Sequence, residues 1–180
     1  MNIICPRCGK DHTIPFSDSV YKTTGFECED CHQDFGVNDG KTLENRIRFT
    51  NELLFSYTDK KQDTYKVEIL KINEKATLKM TKIFKNKMVQ PYTPIDFSNE
   101  YQGFVEMLYR QLFILDWPRE NVGFVTEDAE SFEVIIRYTL HAYDDVTITG
   151  VNQFPVYFKV LDTLFSSLFL EEGQDEEQKN

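Results

Sequence analysis

The chain has 180 residues, 41% of them hydrophobic and 14% aromatic, with a net charge of −10. That balance supports a buried core and excludes the overall basic footprint of a general nucleic-acid binder. The start, Met1-Asn2-Ile3-Ile4-Cys5, lacks the basic and apolar regions of a signal peptide, and no run reaches the roughly 18 apolar residues of a membrane span, so a cytoplasmic location is expected.

Residues 1–40 hold all four cysteines, as Cys5-Pro6-Arg7-Cys8-Gly9 and Cys28-Glu29-Asp30-Cys31. Two residues between cysteines let both thiolates point inward from one tight turn, and two such turns build a tetrahedral all-sulfur cage for zinc. No thiol is left over, which agrees with a reducing compartment. Gly9 follows the first pair at a position that favours left-handed backbone, and His32, which tolerates positive φ, takes the equivalent position after the second. Short strands are expected from His12 to Phe16 and from Val20 to Cys28, with Phe26 and Phe35 as an aromatic plug. Such a module buries too little surface to fold alone, so metal binding is its folding energy.

Gly36-Val37-Asn38-Asp39-Gly40 reads as a turn-rich boundary, and an α+β domain is expected over residues 41–170. Alternation from Asn45 (Ile47, Phe49, Leu53, Phe55, Tyr57), a polar loop from Thr58 to Thr64, and a second alternating run (Tyr65, Val67, Ile69) predict an antiparallel meander with one buried face. After a turn at Asn73-Glu74, Ala76, Leu78 and Met80 continue it; helix competes over 74–88, but Thr77, Thr81 and Ile83 favour strand.

A helix capped by Asp96 or Ser98 is expected to carry Tyr101, Phe104, Val105, Leu108, Leu112 and Leu115 on one face and to end at Asp116-Trp117-Pro118. A short strand follows at Val122 to Thr126, then an acidic turn at Glu127 to Glu130 and a long strand facing Phe132, Val134, Ile136, Tyr138 and Leu140 inward. Asp144-Asp145 turns into a strand from Val146 to Thr149. A second helix starts near Pro155 with Tyr157, Phe158, Leu161, Leu164, Phe165, Leu168 and Phe169 as its apolar stripe. Residues 171–180 read as an acidic disordered tail. The fold class expected is therefore α+β: an N-terminal zinc ribbon, then a mostly antiparallel sheet packed with two amphipathic helices.

Four cysteines close the tetrahedron, whereas catalytic zinc keeps one position open, so Cys5, Cys8, Cys28 and Cys31 read as ligands of a structural zinc. Iron–sulfur binding is the alternative metal chemistry. His12 and His32 are left as polar turn residues. No H-E-x-x-H, no G-x-S-x-G and no phosphate-cradling glycine run occurs, so no enzyme and no small-molecule substrate are expected. His141, near Asp144 and Asp145, reads as a solvent-facing strand histidine, and the carboxylates at 127, 128, 130 and 133 as a solvated turn.

Charge is unevenly placed. Residues 1–40 carry −4, residues 41–90 carry +6 and residues 91–180 carry −12. The series Lys71, Lys75, Lys79, Lys82, Lys85 and Lys87, with Tyr65 or Phe84 for stacking, is the candidate nucleic-acid surface, against a solvated sheet face as the plainer reading. The acidic final half points instead to a basic protein partner, with attraction raising the encounter rate.

The C-P-x-C-G knuckle, the second C-x-x-C and the aromatic Phe35 resemble the zinc-ribbon superfamily over residues 1–40. That resemblance implies structural zinc on the four cysteines and a module that contacts nucleic acid or protein. The whole chain is acidic and poor in motifs, with only three alanines against abundant Lys, Asn, Ile, Tyr and Phe, a bias expected of an AT-rich coding genome such as a low-GC bacterium or its phage. In this it resembles phage-encoded anti-CRISPR inhibitors of type II effector nucleases, which implies stoichiometric binding to a basic nucleic-acid enzyme. A zinc-ribbon adaptor binding nucleic acid directly is the alternative.

Overall fold

Alternating apolar residues place one side of each central strand in a common layer, and the rest of the fold is arranged over that layer. The computed structural model describes residues 2–13, 26–32, 34–35, 39–139 and 143–166. The elements in order are β1 (Asn2–Ile4), β2 (Asp11–Thr13), β3 (Phe26–Glu27), β4 (Asp34–Phe35), α1 (Asp39–Phe49), β5 (Thr50–Thr58), β6 (Thr64–Ile72), β7 (Lys75–Ile83), β8 (Val89–Pro91) and β9 (Ile95–Asp96). Then come α2 (Tyr101–Arg110), a 3-10 turn (Ile114–Asp116), β10 (Glu120–Val122), β11 (Ser131–Tyr138) and β12 (Val146–Val151). The described part of the chain closes with a helix over 158–166, here α3.

The main sheet has eight strands in the order β10-β12-β11-β5-β6-β7-β8, with β9 also pairing β7. All its pairings are antiparallel except β10 with β12. The register sets Leu53 opposite Ile69, Phe55 opposite Val67, Ile69 opposite Leu78 and Val67 opposite Met80, so one face is continuously apolar. Phe132, Val134 and Ile136 of β11, with Ile148 of β12, extend it. This is the α+β architecture expected from the alternation, with one buried face.

Helices α2 and α3 cover that face. Tyr101, Phe104, Val105 and Leu108 of α2 are buried, as are Phe158, Leu161 and Phe165 of α3. Phe55 lies between the two rings of α3, 5.9 Å from Phe158 and 4.8 Å from Phe165, and Phe104 is 5.8 Å from Phe165. Each such side chain contributes roughly 1.5–3 kcal/mol on burial. No helix among the described residues is long and apolar enough to cross a membrane.

Several expectations are corrected. Residues 45–49 are helical, because Leu43 and Ile47 lie four apart on one buried face of α1 and the two-residue period begins only at β5. Asp39 and Gly40 therefore lie inside a helix, and the rest of the turn expected over 36–40 is outside the described residues. Neither Asp96 nor Ser98 caps α2, whose N-cap is Glu100 without a side-chain bond. The Ser98 hydroxyl instead accepts the Ala76 N–H at 3.0 Å and donates to Asp96 at 2.6 Å, tying β9 to β7.

Helix α2 stops at Arg110 rather than at Trp117. Phe113 adopts φ 49, the left-handed position usually given to glycine, and the Trp117 indole N–H then donates to the Leu112 carbonyl at 2.7 Å. Leu112 and Ile114 are still buried, by the turn rather than by the helix. The strand expected at 122–126 is β10, ending at Val122. A Cβ on Gly123 would stand 2.7 Å from the Asn152 carbonyl oxygen, so that close approach belongs to glycine alone. The ribbon strands expected at 12–16 and 20–28 are strand where they are described, as β2 and β3, each in a hairpin around one knuckle (β1–β2 and β3–β4), with residues 14–25 outside the described set. Leu140, His141, Leu168, Phe169 and the tail over 171–180 also lie outside it.

Candidate metal centre

Each hairpin of the N-terminal module presents one cysteine pair. The Cys5 carbonyl accepts the Gly9 N–H at 3.0 Å, and the Cys28 carbonyl accepts the His32 N–H at 2.8 Å, so the two knuckles close with the same turn. Gly9 has φ 76 and His32 has φ 55. The histidine thus occupies the left-handed position expected of it, one that non-glycine residues rarely hold.

The four sulfurs lie within 4.8 Å of one another. Cys5 and Cys31 are 3.6 Å apart and Cys8 and Cys28 are 3.5 Å apart. Zn–S bonds of about 2.3 Å imply a tetrahedral edge of about 3.8 Å, whereas a disulfide would need about 2.0 Å. The spacing fits one ion and is too tight for a multi-iron cluster. Cys5 and Cys28 are fully buried. Burial pushes the Cys28 thiol up, but the N–H groups of Cys31 and Asp30, with His12 and Cys8, outweigh it and bring the pKa down to about 6. These four residues could hold one metal ion, and their chemistry suits zinc. A bound ion there would supply structure, since four thiolates leave no coordination position for substrate.

The surroundings complete the site. His12, expected to be a polar turn residue, lies on β2 and donates to the Cys28 sulfur, as outer partners of metal ligands commonly do. His32 does stay in solvent, with Nδ1 2.8 Å from Glu27. Lys10 reaches Asp30 at 2.6 Å and joins the two knuckles.

The module rests on the larger domain through residues that composition and spacing did not single out. The Arg7 guanidinium lies 4.8 Å above the Phe113 ring. Arg110, ion-paired to Glu44, packs where Gly9 lacks a side chain; a Cβ there would meet its Nη1 at 3.0 Å. Gly9→Ala is therefore expected to cost about 1–2 kcal/mol through the left-handed backbone alone, a roughly tenfold loss of metal affinity in a chelator competition. His32→Gly should hold metal at least as well as the unsubstituted chain. Equal affinities for Gly9→Ala and the unsubstituted chain would contradict this backbone cost.

The candidate lysines do not share one surface. Lys71 and Lys82 lie on the helix-covered side of the sheet in register with Ala76 and Tyr65, while Lys75 and Lys79 lie on the opposite face. Lys82 is paired to Asp63 at 3.2 Å, and its Nζ lies 4.6 Å from the Phe84 ring. Lys79 faces Glu68 across the strands, and Lys85 is exposed beyond β7.

In comparisons with protein-family models, curated proteins and solved structures, the chain has no significant match.

Proposed function

We propose that the chain is a zinc-stabilised interaction protein that acts by binding rather than by catalysis, and that it docks on a basic, nucleic-acid-processing protein. The observation that carries this reading is the apolar loop after β10. Phe124 is 90% exposed, with Val122 at 65% and Val125 at 66% beside it. Asn152 holds the loop in place: its side-chain amide donates to the Phe124 carbonyl at 2.5 Å, and its side-chain oxygen accepts the Glu130 N–H at 2.9 Å. Just beyond that clamp, Val156 is 89% exposed before α3 and Val160 50% exposed in its first turn.

Large apolar side chains held rigidly in water mark a contact surface. The exposed acids Glu120, Glu127 and Asp128 flank the loop, within a segment that carries −12 over residues 91–180. An acidic rim around an apolar centre complements a basic partner. A type II CRISPR effector nuclease is a partner of that chemistry, and an inhibitor seated there would block loading of guide or target. That specific form of the reading rests on the general character of the sequence.

The test compares the intact chain with Phe124→Asp/Val156→Asp, both immobilised and exposed to bacterial lysate at rising salt. A stoichiometric nucleic-acid-binding protein should be held by the first, released by salt and lost by the second, with melting unchanged. The same proteins on both surfaces, or retention indifferent to salt, would overturn the reading.

A further inference from the structure

The ladder between β5 and β11 slips by one residue near its end. Arg137 pairs with Glu52, but Tyr138 pairs with Thr50, which leaves Asn51 as the extra residue of a bulge. Bulges re-aim side chains and occur beside binding sites. Here the slip turns Thr50 inward, where its hydroxyl lies 2.9 Å from the Tyr109 hydroxyl. Asn51 lines a cleft of about 420 Å³ together with Arg48, Lys71, Asn73 and Thr139.

Two features of this cleft lack a hydrogen-bonding or charged partner among the described residues. The Asn51 side-chain oxygen is buried and receives no hydrogen bond from them. A buried acceptor left unpaired in a native fold is uncommon and marks a place where something else donates. Arg48 and Lys71, moreover, have no carboxylate within 4.0 Å among the described residues, in a chain whose net charge is −10. No carboxylate lines the cleft among those residues either. Both cations are held by aromatic faces instead. The Lys71 Nζ is 5.0 Å from the Tyr101 ring and the Arg48 guanidinium 5.8 Å from the Phe49 ring, contacts that leave their N–H donors available. Tyr101 is itself fixed, its hydroxyl donating to the Thr50 carbonyl at 2.7 Å.

We propose that this cleft binds a phosphate monoester on a hydroxylated small molecule, of the sugar-phosphate or mononucleotide class. A phosphate monoester carries nearly two negative charges at neutral pH, which matches one arginine and one lysine. The Asn51 oxygen accepts from a ligand hydroxyl. The cleft volume is that of a small-molecule site. A nucleic-acid strand needs a basic track leading onward, and none continues from here among the described residues: Lys75 and Lys79 are on the other face of the sheet, and Lys82 is committed to Asp63. The site is independent of the metal centre and of the Phe124 surface, and it adds a ligand that the motif-poor sequence does not announce.

The test titrates the full, nitrogen-15-labelled chain with ribose 5-phosphate, inorganic phosphate and a single-stranded oligonucleotide that carries only diesters. Ribose 5-phosphate should shift the Asn51 side-chain amide and the backbone amides of residues 71–73, saturably. Lys71→Met and Arg48→Gln should each weaken it about tenfold or more. Asn51→Leu should bring its affinity down to that of inorganic phosphate. Equal binding of ribose 5-phosphate and inorganic phosphate by the unsubstituted chain overturns the role of Asn51. No shift at these groups, unchanged affinity in Lys71→Met, or occupation by the oligonucleotide alone overturns the proposal. Lys71 is only partly buried, so its variant keeps the test decisive if Asn51→Leu fails to fold.

Discussion

Removal of the metal, by chelation or by Cys28→Ser, is expected to unfold both N-terminal hairpins while the eight-stranded sheet stays folded. The hairpin strands are only two or three residues long, and among the described residues β1 pairs only with β2 and β3 only with β4. Ordering a residue's backbone costs about 1–2 kcal/mol. Against that, the described module buries little apolar surface beyond Ile3, Cys5 and Cys28. Structural zinc contributes about 10–16 kcal/mol in comparable small modules, which reverses the balance. The sheet needs no such help, because its inner face, α2 and α3 form one apolar cluster without the cysteines. Amide exchange checks this. Protection should vanish at Ile3, Ile4 and His12 and persist at Val67, Ile69 and Leu78. Protection retained at both sets in the metal-free chain would contradict it.

Leu161→Ala should be strongly destabilising through the helical layer. Leu161 is 1% exposed and shares an apolar pocket with Phe55, Phe104, Leu108, Val134 and Phe165. Truncating a leucine so placed costs about 2–5 kcal/mol, because packed neighbours close the gap only partly. For a chain of this length that lowers Tm by roughly 5–15 °C. Phe158 and Phe165 are the other buried anchors in the described part of α3, so loss of Leu161 also loosens the segment that presents Val156 and Val160. Leu164 lies on the outer side of the same helix, and Leu164→Ala should cost less than about 0.5 kcal/mol. Denaturant midpoints of the two variants decide the matter; equal losses would mean that α3 is not docked by this face.

Both results rest on patterns that short stretches of sequence display. The period of two from Tyr65 to Ile69 needs only neighbours along the strand, and the paired cysteines need only a turn of fixed length. Both therefore agree with the structure. His32 shows how far such local reasoning reaches, since its side chain tolerates the backbone that the knuckle imposes. Local reasoning failed where a distant contact decided the outcome. Ile47 and Phe49 alternate with polar residues, yet Ile47 belongs with Leu43 in a helix that contributes both to the main core. The stripe through Leu112 and Leu115 continued the helical period, but Phe113 in the left-handed region and the Trp117 indole end the helix early. The strand expected from Val122 to Thr126 ends before Gly123 instead, and the position of Phe124 outside the sheet depends on Asn152, 28 residues away from Phe124. The Asn51 bulge has no local mark, because it arises from register with β11. The lysine series looked continuous in sequence, while strand pairing divides it between two faces.

The central claim is that one metal ion on four sulfurs holds the N-terminal module in shape. X-ray absorption at the zinc edge of the purified full chain tests it most directly. The account predicts one zinc per chain with four sulfur neighbours at about 2.3 Å and no nitrogen in the first shell. A chain that takes up no zinc, or binds it through His12 or His32 in place of a cysteine, would contradict it.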